Sequence, residues 1–276
     1  MDVPFEIPSC EETLLQGDII QWHRPRDNSP GESFGIVINA DCDIFNDKAG
    51  AFLTYIPLLS LSEYMNCIWS PQLLDDIMSK KISEINSYIC TCLSVDAIRE
   101  LALSEDNDSA LVSLAGNPQK VPQLRKLLGQ FGIILKAKFA GHQKGFFLTL
   151  CEVRAKLTEK PVGEATTLMQ NQFRGHLGDR NQNDCFFLSH VPGLENRGFA
   201  AAIRYFRTIH ANQIVKSKAE WYSAESKALR IGRLKPVLKY ALSQKFSSLF
   251  LRIGLPKEYE ATQKSIISTF GVKEIV

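Results

Sequence analysis

Along the first sixty positions, apolar residues come in short β-branched runs separated by turn formers. Leu14 to Trp22 (LLQGDIIQW) holds a Gly-Asp turn and continues as a strand, and Phe34 to Asn39 (FGIVIN) predicts a second strand. Ala51 to Pro57 (AFLTYIP) predicts a third, after the turn-like Asn46 to Gly50, and the intervening HRPRDNSPGES is rich in loop residues. From Ser70 the period changes. Pro71 stands at a first helical position, and Leu73, Leu74, Ile77, Ile82 and Ile85 recur at helical spacing. Further helices are predicted over Ser94 to Ala102 and Pro122 to Gln130, with the acidic loop Ser104 to Ser109 between them. Strand character returns at Gly145 to Leu157, Cys185 to Leu188 and Gly198 to Arg207, with a polar loop at Met169 to Asp184. The end reads as helical: Lys216 to Arg230, then Pro236 to Ile253, whose Leu238, Leu242, Phe246, Leu249, Phe250 and Ile253 share one face before Gly254 and Pro256.

This pattern predicts an α+β chain in three parts. Strands occupy residues 1–60 and 141–215, a mostly helical insertion 61–140, and a basic helical C-terminal extension 216–276. With 45% apolar and 22% charged residues, 276 positions suffice to bury a sizeable core. No apolar run reaches membrane-spanning length, so no membrane association is expected. Seven cysteines (Cys10, Cys42, Cys67, Cys90, Cys92, Cys151, Cys185) lack a CxxC pair, which points to neither a disulfide framework nor a zinc site and suits a reducing cytoplasm.

Charge changes the picture most. The formal net charge of +2 hides a division: Arg197 to Lys257 carries thirteen Lys and Arg against two acids, whereas Met1 to Ala110 carries six against nineteen. Clustered cations gain affinity for a polyanion by releasing its counterions, so nucleic acid is the expected partner. The competing expectation is that the basic third docks on the acidic N-terminal part of the same chain. Lys216, Lys218, Lys227, Arg230, Arg233, Lys235, Lys239 and Lys245 are the candidate phosphate-contacting set.

Two further groups carry candidate chemistry. Asp41, Cys42, Asp43 and Asp47 follow the second central strand. On an extended chain Asp41 and Asp43 point to the same side and could share a divalent cation. The competing reading is an Asx turn with a buried Cys, and no metal ligand set can be named. Cys42 as a nucleophile would need His23, His142 or His190 beside it. In the first loop, His23, Arg24 and Arg26 could flank a substrate groove with Trp22 as a stacking face, and Arg174, His176 and Arg180 could clamp a phosphate from the polar loop. Arg204 and Arg207, three apart on a strand, should face opposite sides.

Gly17-Asp18-Ile19 opening the first strand, Gly31-Glu32 before Ile36 to Asn39, and Asn46, Ala49 and Gly50 before Leu53 to Pro57 together resemble the MazF and PemK toxin family of small bacterial endoribonucleases. Phe199 to Ile209 looks like a later barrel strand of that family. The resemblance implies an SH3-like β-barrel split over residues 1–60 and 141–215 by the helical segment, and RNA as substrate; the candidate catalytic residues read from the sequence itself are Asp41, Asp43 and His23. Where that family carries Arg-Pro before its second central strand and Thr after its third, this chain has Ser33-Phe34 and Leu58-Leu59. A second resemblance is to larger bacterial proteins with a strand followed by Cys-Asp (Ile36 to Asp43, IVINADCD) and a terminal helix ending in Arg-x-Gly-Leu-Pro (Pro236 to Pro256); it implies fold only. The expected function is nucleic-acid binding of the toxin or phage-defence type, extending to a divergent ribonuclease. The alternative is a non-enzymatic adaptor or assembly subunit that binds proteins, or copies of itself, through the acidic insertion and basic tail. No cofactor is indicated, although a nuclease acting through Asp41 and Asp43 would need Mg²⁺.

Overall fold

The computed structural model describes residues 4–23, 33–46, 48–104, 108–178, 185–194, 198–223, 226–250 and 262. The architecture is α+β. A curled, mainly antiparallel sheet forms half a barrel, and a helical layer is inserted between its strands. The elements run β1 (Phe5–Glu6), β2 (Asp18–Trp22), β3 (Phe34–Val37), α1 (Asp41–Phe45), β4 (Phe52–Ser60), α2 (Leu61–Tyr64), α3 (Ser70–Tyr88), α4 (Val95–Leu103), α5 (Asp108–Ala115), α6 (Val121–Lys144), α7 (Phe146–Thr158) and α8 (Val162–Gly178). There follow β5 (Cys185–Leu188), β6 (Phe199–Ala202), β7 (Arg207–His210), β8 (Ile214–Val215), α9 (Lys218–Tyr222), β9 (Ala228–Leu234) and α10 (Pro236–Phe250). Among the described residues, no helix is long and apolar enough to cross a membrane.

The sheet order is β1-β9-β2-β3-β4-β6-β5, with β7 on β4 and β8 parallel to β9. Strand β4 joins two regions: its first half pairs with β7 and its last residues pair with β6. Alternation along β2, β3 and β4 then fills two cores. Ile20, Trp22, Val37, Leu53 and Tyr55 line the concave side with Ile209 and Ile214. Ile19, Phe34, Ile36, Ile56 and Leu58 face the opposite side, where Leu238, Leu242, Phe246 and Leu249 of α10 cover them.

Helices begin where β4 stops. Ser60 accepts the Glu63 amide at 3.2 Å, and the Glu63 carboxylate accepts the Ser60 amide at 2.9 Å, a reciprocal box that ends the strand and starts α2. A π-helical turn, Met65–Trp69, passes directly into α3. The 24-residue α6 is the axis of this layer and packs against α3, α4, α5 and α7.

Four predicted elements differ. Gly145 to Leu157 is not a strand: α7 occupies it, and α8 occupies Met169 to Gly178 of the predicted loop, so the helical layer runs well past residue 140. Its apolar run was ambiguous, because Phe146, Leu150, Val153 and Leu157 also fall at helical spacing. The predicted strand Gly198 to Arg207 is broken by a 3₁₀ turn at Ile203–Tyr205, which holds Arg204. Lys216 to Arg230 is a five-residue helix followed by a strand, and β9 inserts between β1 and β2. Ala228–Leu234 is therefore a strand of the sheet and not part of a helical extension.

What draws β9 into the sheet is charge. Asp18 is fully buried on β2 opposite Arg233, whose Nε donates to Asp18 Oδ1 at 2.6 Å and whose Nη2 donates to Oδ2 at 3.3 Å. Arg230 lies 3.6 Å from the same carboxylate. On a regular strand, residues three apart face opposite sides, but the β2–β9 register shifts between Ile19 and Ile20, leaving Ile231 as an extra residue. That bulge turns both arginines onto Asp18. Their remaining donors hold the N-terminal segment: Arg230 donates to the carbonyls of Ser9, Glu12 and Thr13, and Arg233 to the Thr13 carbonyl and the Glu12 carboxylate. Burial pushes the Asp18 carboxyl up, opposed by the Arg233 hydrogen bonds, the Leu15 amide and the two guanidinium charges. The Ser9 amide and Arg233 hold the exposed Glu12 carboxyl below its usual range.

Arg233→Met leaves Asp18 facing a single guanidinium in a dry site and should cost about 3–5 kcal/mol in denaturant unfolding. A loss under about 1 kcal/mol would show that the cluster does not anchor β9. Gly35 offers a second check. A Cβ there would lie 2.7 Å from the Tyr55 ring and 3.1 Å from Trp22. Gly35→Ala should therefore destabilise by about 1–3 kcal/mol through overpacking, read as a lowered melting temperature.

Candidate nucleic-acid interface

The eight predicted phosphate contacts of the C-terminal third divide into three groups. Arg230, Arg233 and Lys239 are buried. The first two belong to the Asp18 cluster. Lys239, on α10, lays its stem against Gly17 and donates to Asp41 Oδ2 at 2.7 Å. These cations meet acids of the N-terminal part, and none of them is available to a phosphate. Lys235 opens α10 with its amide on the Pro4 carbonyl, and Lys245 is half-buried on the same helix.

Lys216, Lys218 and Lys227 lie together around α9. Ser217 caps that helix through the Glu220 amide, and Trp221 anchors it by packing with Val215 and Leu229. Lys218 and Tyr222 stand four apart on the helix and so share a face. Lys227 reaches back to Ser223 Oγ at 3.3 Å. His23, at the end of β2, sits edge-on to Trp221 (centroids 4.9 Å) and to Tyr222 (5.6 Å, rings at 85°). His23 and Tyr222 are both exposed, Tyr222 at 65%. The result is an imidazole and a phenol ring presented to solvent, with Lys218 one turn from Tyr222 and Lys216 and Lys227 before and after α9 in the chain. Glu220, on the same helix, is exposed beside them.

Besides the three lysines, His23 is the sequence-predicted group that joins this surface among the described residues. Trp22, read as a stacking face, is buried against Tyr55 at 4.9 Å. Arg24, Arg26, Asp47 and Arg180 lie outside the described residues. Tyr222 was missed, because the segment KAEWYS marks a short helix with two aromatics but not which ring is left outside. Only the docking of Trp221 under β9 decides that.

Asp41 and Asp43 do not form the extended pair expected from their spacing. They lie in the first turn of α1, where residues two apart do not face one another. Asp41 is already engaged by Lys239 and by the Gln16 amide at 2.7 Å. Cys42 is exposed, not buried, with its Sγ 3.6 Å from Asp43 Oδ1. Among the described residues, no group of three or more His, Cys, Asp and Glu could hold a metal ion. Asp41 sits beside Gln16, before β2, and His23 follows it. The five residues of that strand, at about 3.3 Å each, hold them roughly 16 Å apart.

The other candidates are dispersed. His142 packs on Phe146 in the helical layer, and His190 pairs with Ser189 at 2.9 Å and stands edge-on to Phe5. His176 lies 3.2 Å from the buried Tyr64 hydroxyl, stacked near Phe173 and Trp69, and Arg174 donates to Asn171. Arg204 and Arg207 are exposed near the β6–β7 junction. Compared with protein-family models, curated proteins and solved structures, the chain gives no match.

Proposed function

We propose that the protein binds single-stranded nucleic acid across the surface made by His23, Lys216, Lys218, Tyr222 and Lys227. The observation that carries this reading is the exposed Tyr222 ring, edge-on to His23 and flanked by lysines. Such a surface offers a base a stacking face and its phosphates a positive field at once. A single strand is favoured over a duplex because an aromatic face can stack only on a base that is not already paired. On this reading the curled sheet is a divergent form of the SH3-like barrel of MazF and PemK toxins, and the protein serves as a toxin or phage-defence component in a bacterial cytoplasm. Ribonuclease chemistry, which that resemblance brings with it, would rest on His23, the imidazole within the surface.

Binding of labelled single-stranded RNA and DNA, followed by fluorescence anisotropy over a salt series, tests this. Affinity should fall steeply with salt. The slope of log K against log salt should flatten by about 1.4 in Lys218→Glu/Lys227→Glu, since each phosphate contact on a single strand contributes about 0.7. Salt-independent binding, or an unchanged slope in the variant, sinks the proposal.

Tyr222→Ala should remove about 1–3 kcal/mol of binding free energy, with the salt slope unaltered, because stacking carries no charge. Incubated RNA that shortens with the native protein, and stays intact with His23→Ala while still bound, would extend binding to cleavage.

A further inference from the structure

A second site lies in the helical layer, away from α9. The C-terminal half of α7 and the first turns of α8 enclose a pocket of about 310 Å³. Arg154 and Thr158, four apart, come from α7, while Thr167, Leu168 and Asn171 come from one face of α8. Between the helices, Glu159 adopts a left-handed backbone (φ 55°) that closes α7, and Lys160 follows on the pocket wall.

Arg154 is the informative side chain. Its Nε is buried with no hydrogen-bond partner, and its guanidinium makes no ion pair among the described residues. The side chain is otherwise half-buried, so its charge stays accessible to an anion entering the pocket. Of the neighbouring groups, Lys160 and Asn171 can donate, and Glu164 on the same wall is held by Lys160. Asn171 Oδ1 already accepts from Arg174, which leaves its amide N–H groups to donate. The hydroxyl protons of Thr158 and Thr167 are spent on backbone carbonyls of their own helices, so the donors for an incoming group are Arg154, Lys160 and Asn171. Lys160 stands 3.6 Å from Glu164, both exposed, an ion pair weak enough to yield. Ala165 and Leu168 add an apolar wall.

We infer that this pocket binds the phosphate of a small organic phosphomonoester, with Arg154 and Lys160 neutralising its charge and Ala165 and Leu168 against its apolar body. Two cations and an amide match a doubly charged phosphate better than a single carboxylate, and the volume is at the lower end of small-molecule sites.

Thermal unfolding of the full chain, followed by scanning fluorimetry, tests the inference. Inorganic phosphate is compared with chloride at equal ionic strength, and a nucleoside monophosphate with its nucleoside. Phosphate and the monophosphate should each raise the melting temperature, by about 5 °C at a hundredfold excess over Kd, and the nucleoside should not. Arg154→Met should abolish the response while leaving the ligand-free melting temperature nearly unchanged, since the side chain is half-buried and its Nε has no partner. Asn171→Asp, at an exposed position, should abolish it as well by placing a carboxylate against the phosphate. Absence of a response in the native protein, or an equal response in either variant, overturns the site. So does an Arg154→Met protein that melts several degrees lower without ligand, which would make the arginine structural. An oligonucleotide lacking a terminal phosphate that reproduces the shift in an Arg154-dependent way would assign the pocket to polymer backbone, and would overturn the small-ligand assignment.

Discussion

Everything on the sheet side of this protein depends on one buried carboxylate. Asp18 sits at the start of β2 with two guanidiniums against it, and those guanidiniums also hold the carbonyls of the N-terminal segment. One charge cluster thereby ties together the N-terminal segment, the first long strand and a strand from the last fifty residues. Burial raises the Asp18 carboxyl above its ordinary 3.8, so its own titration favours the folded state at low pH, and that contribution declines as pH rises through the folded value. The cluster is thus a means of specifying register more than a source of net stability.

The β-bulge is what makes this arrangement possible. Without Ile231 as the extra residue, Arg230 and Arg233 would project from opposite faces and only one could reach Asp18. Gly17, with φ 88°, begins the same corner, and its missing side chain leaves room for the stem of Lys239, whose ammonium closes on Asp41. The helix that covers the convex core and the strand that completes the sheet are therefore held by the same kind of contact: a cation from the C-terminal third on an acid from the first fifty residues.

The charge division along the chain consequently serves two purposes. Arg230, Arg233 and Lys239 are consumed inside the fold, while Lys216, Lys218 and Lys227 stay near solvent around an aromatic pair. The basic segment read as two helices is a short helix, a strand and a second helix, which send some cations inward and others outward. The proposed binding surface is smaller than the composition suggested, but it contains a stacking ring the composition did not reveal.

Strands with β-branched alternation and clear turn punctuation, β2, β3 and β4, were legible from the residues alone, as were α3 and α10 with their stripes of Leu, Ile and Phe. Local preference and long-range packing agree there, so periodicity was sufficient. The sequence also contained the competing reading that the basic third docks on the acidic N-terminal part, and three of its cations do. It could not decide α7, where an apolar run fits either period until α6 and α8 are packed on both sides. Nor could it decide β9, whose first residues fall in the predicted helix Lys216 to Arg230 and whose arginines turn the same way only through a bulge and a buried Asp18. Which side chains an amino-acid chain contains is local information. Whether an arginine is a structural counter-ion, a surface charge or an unmatched cation depends on what the fold sets opposite it, and only tertiary structure decides that.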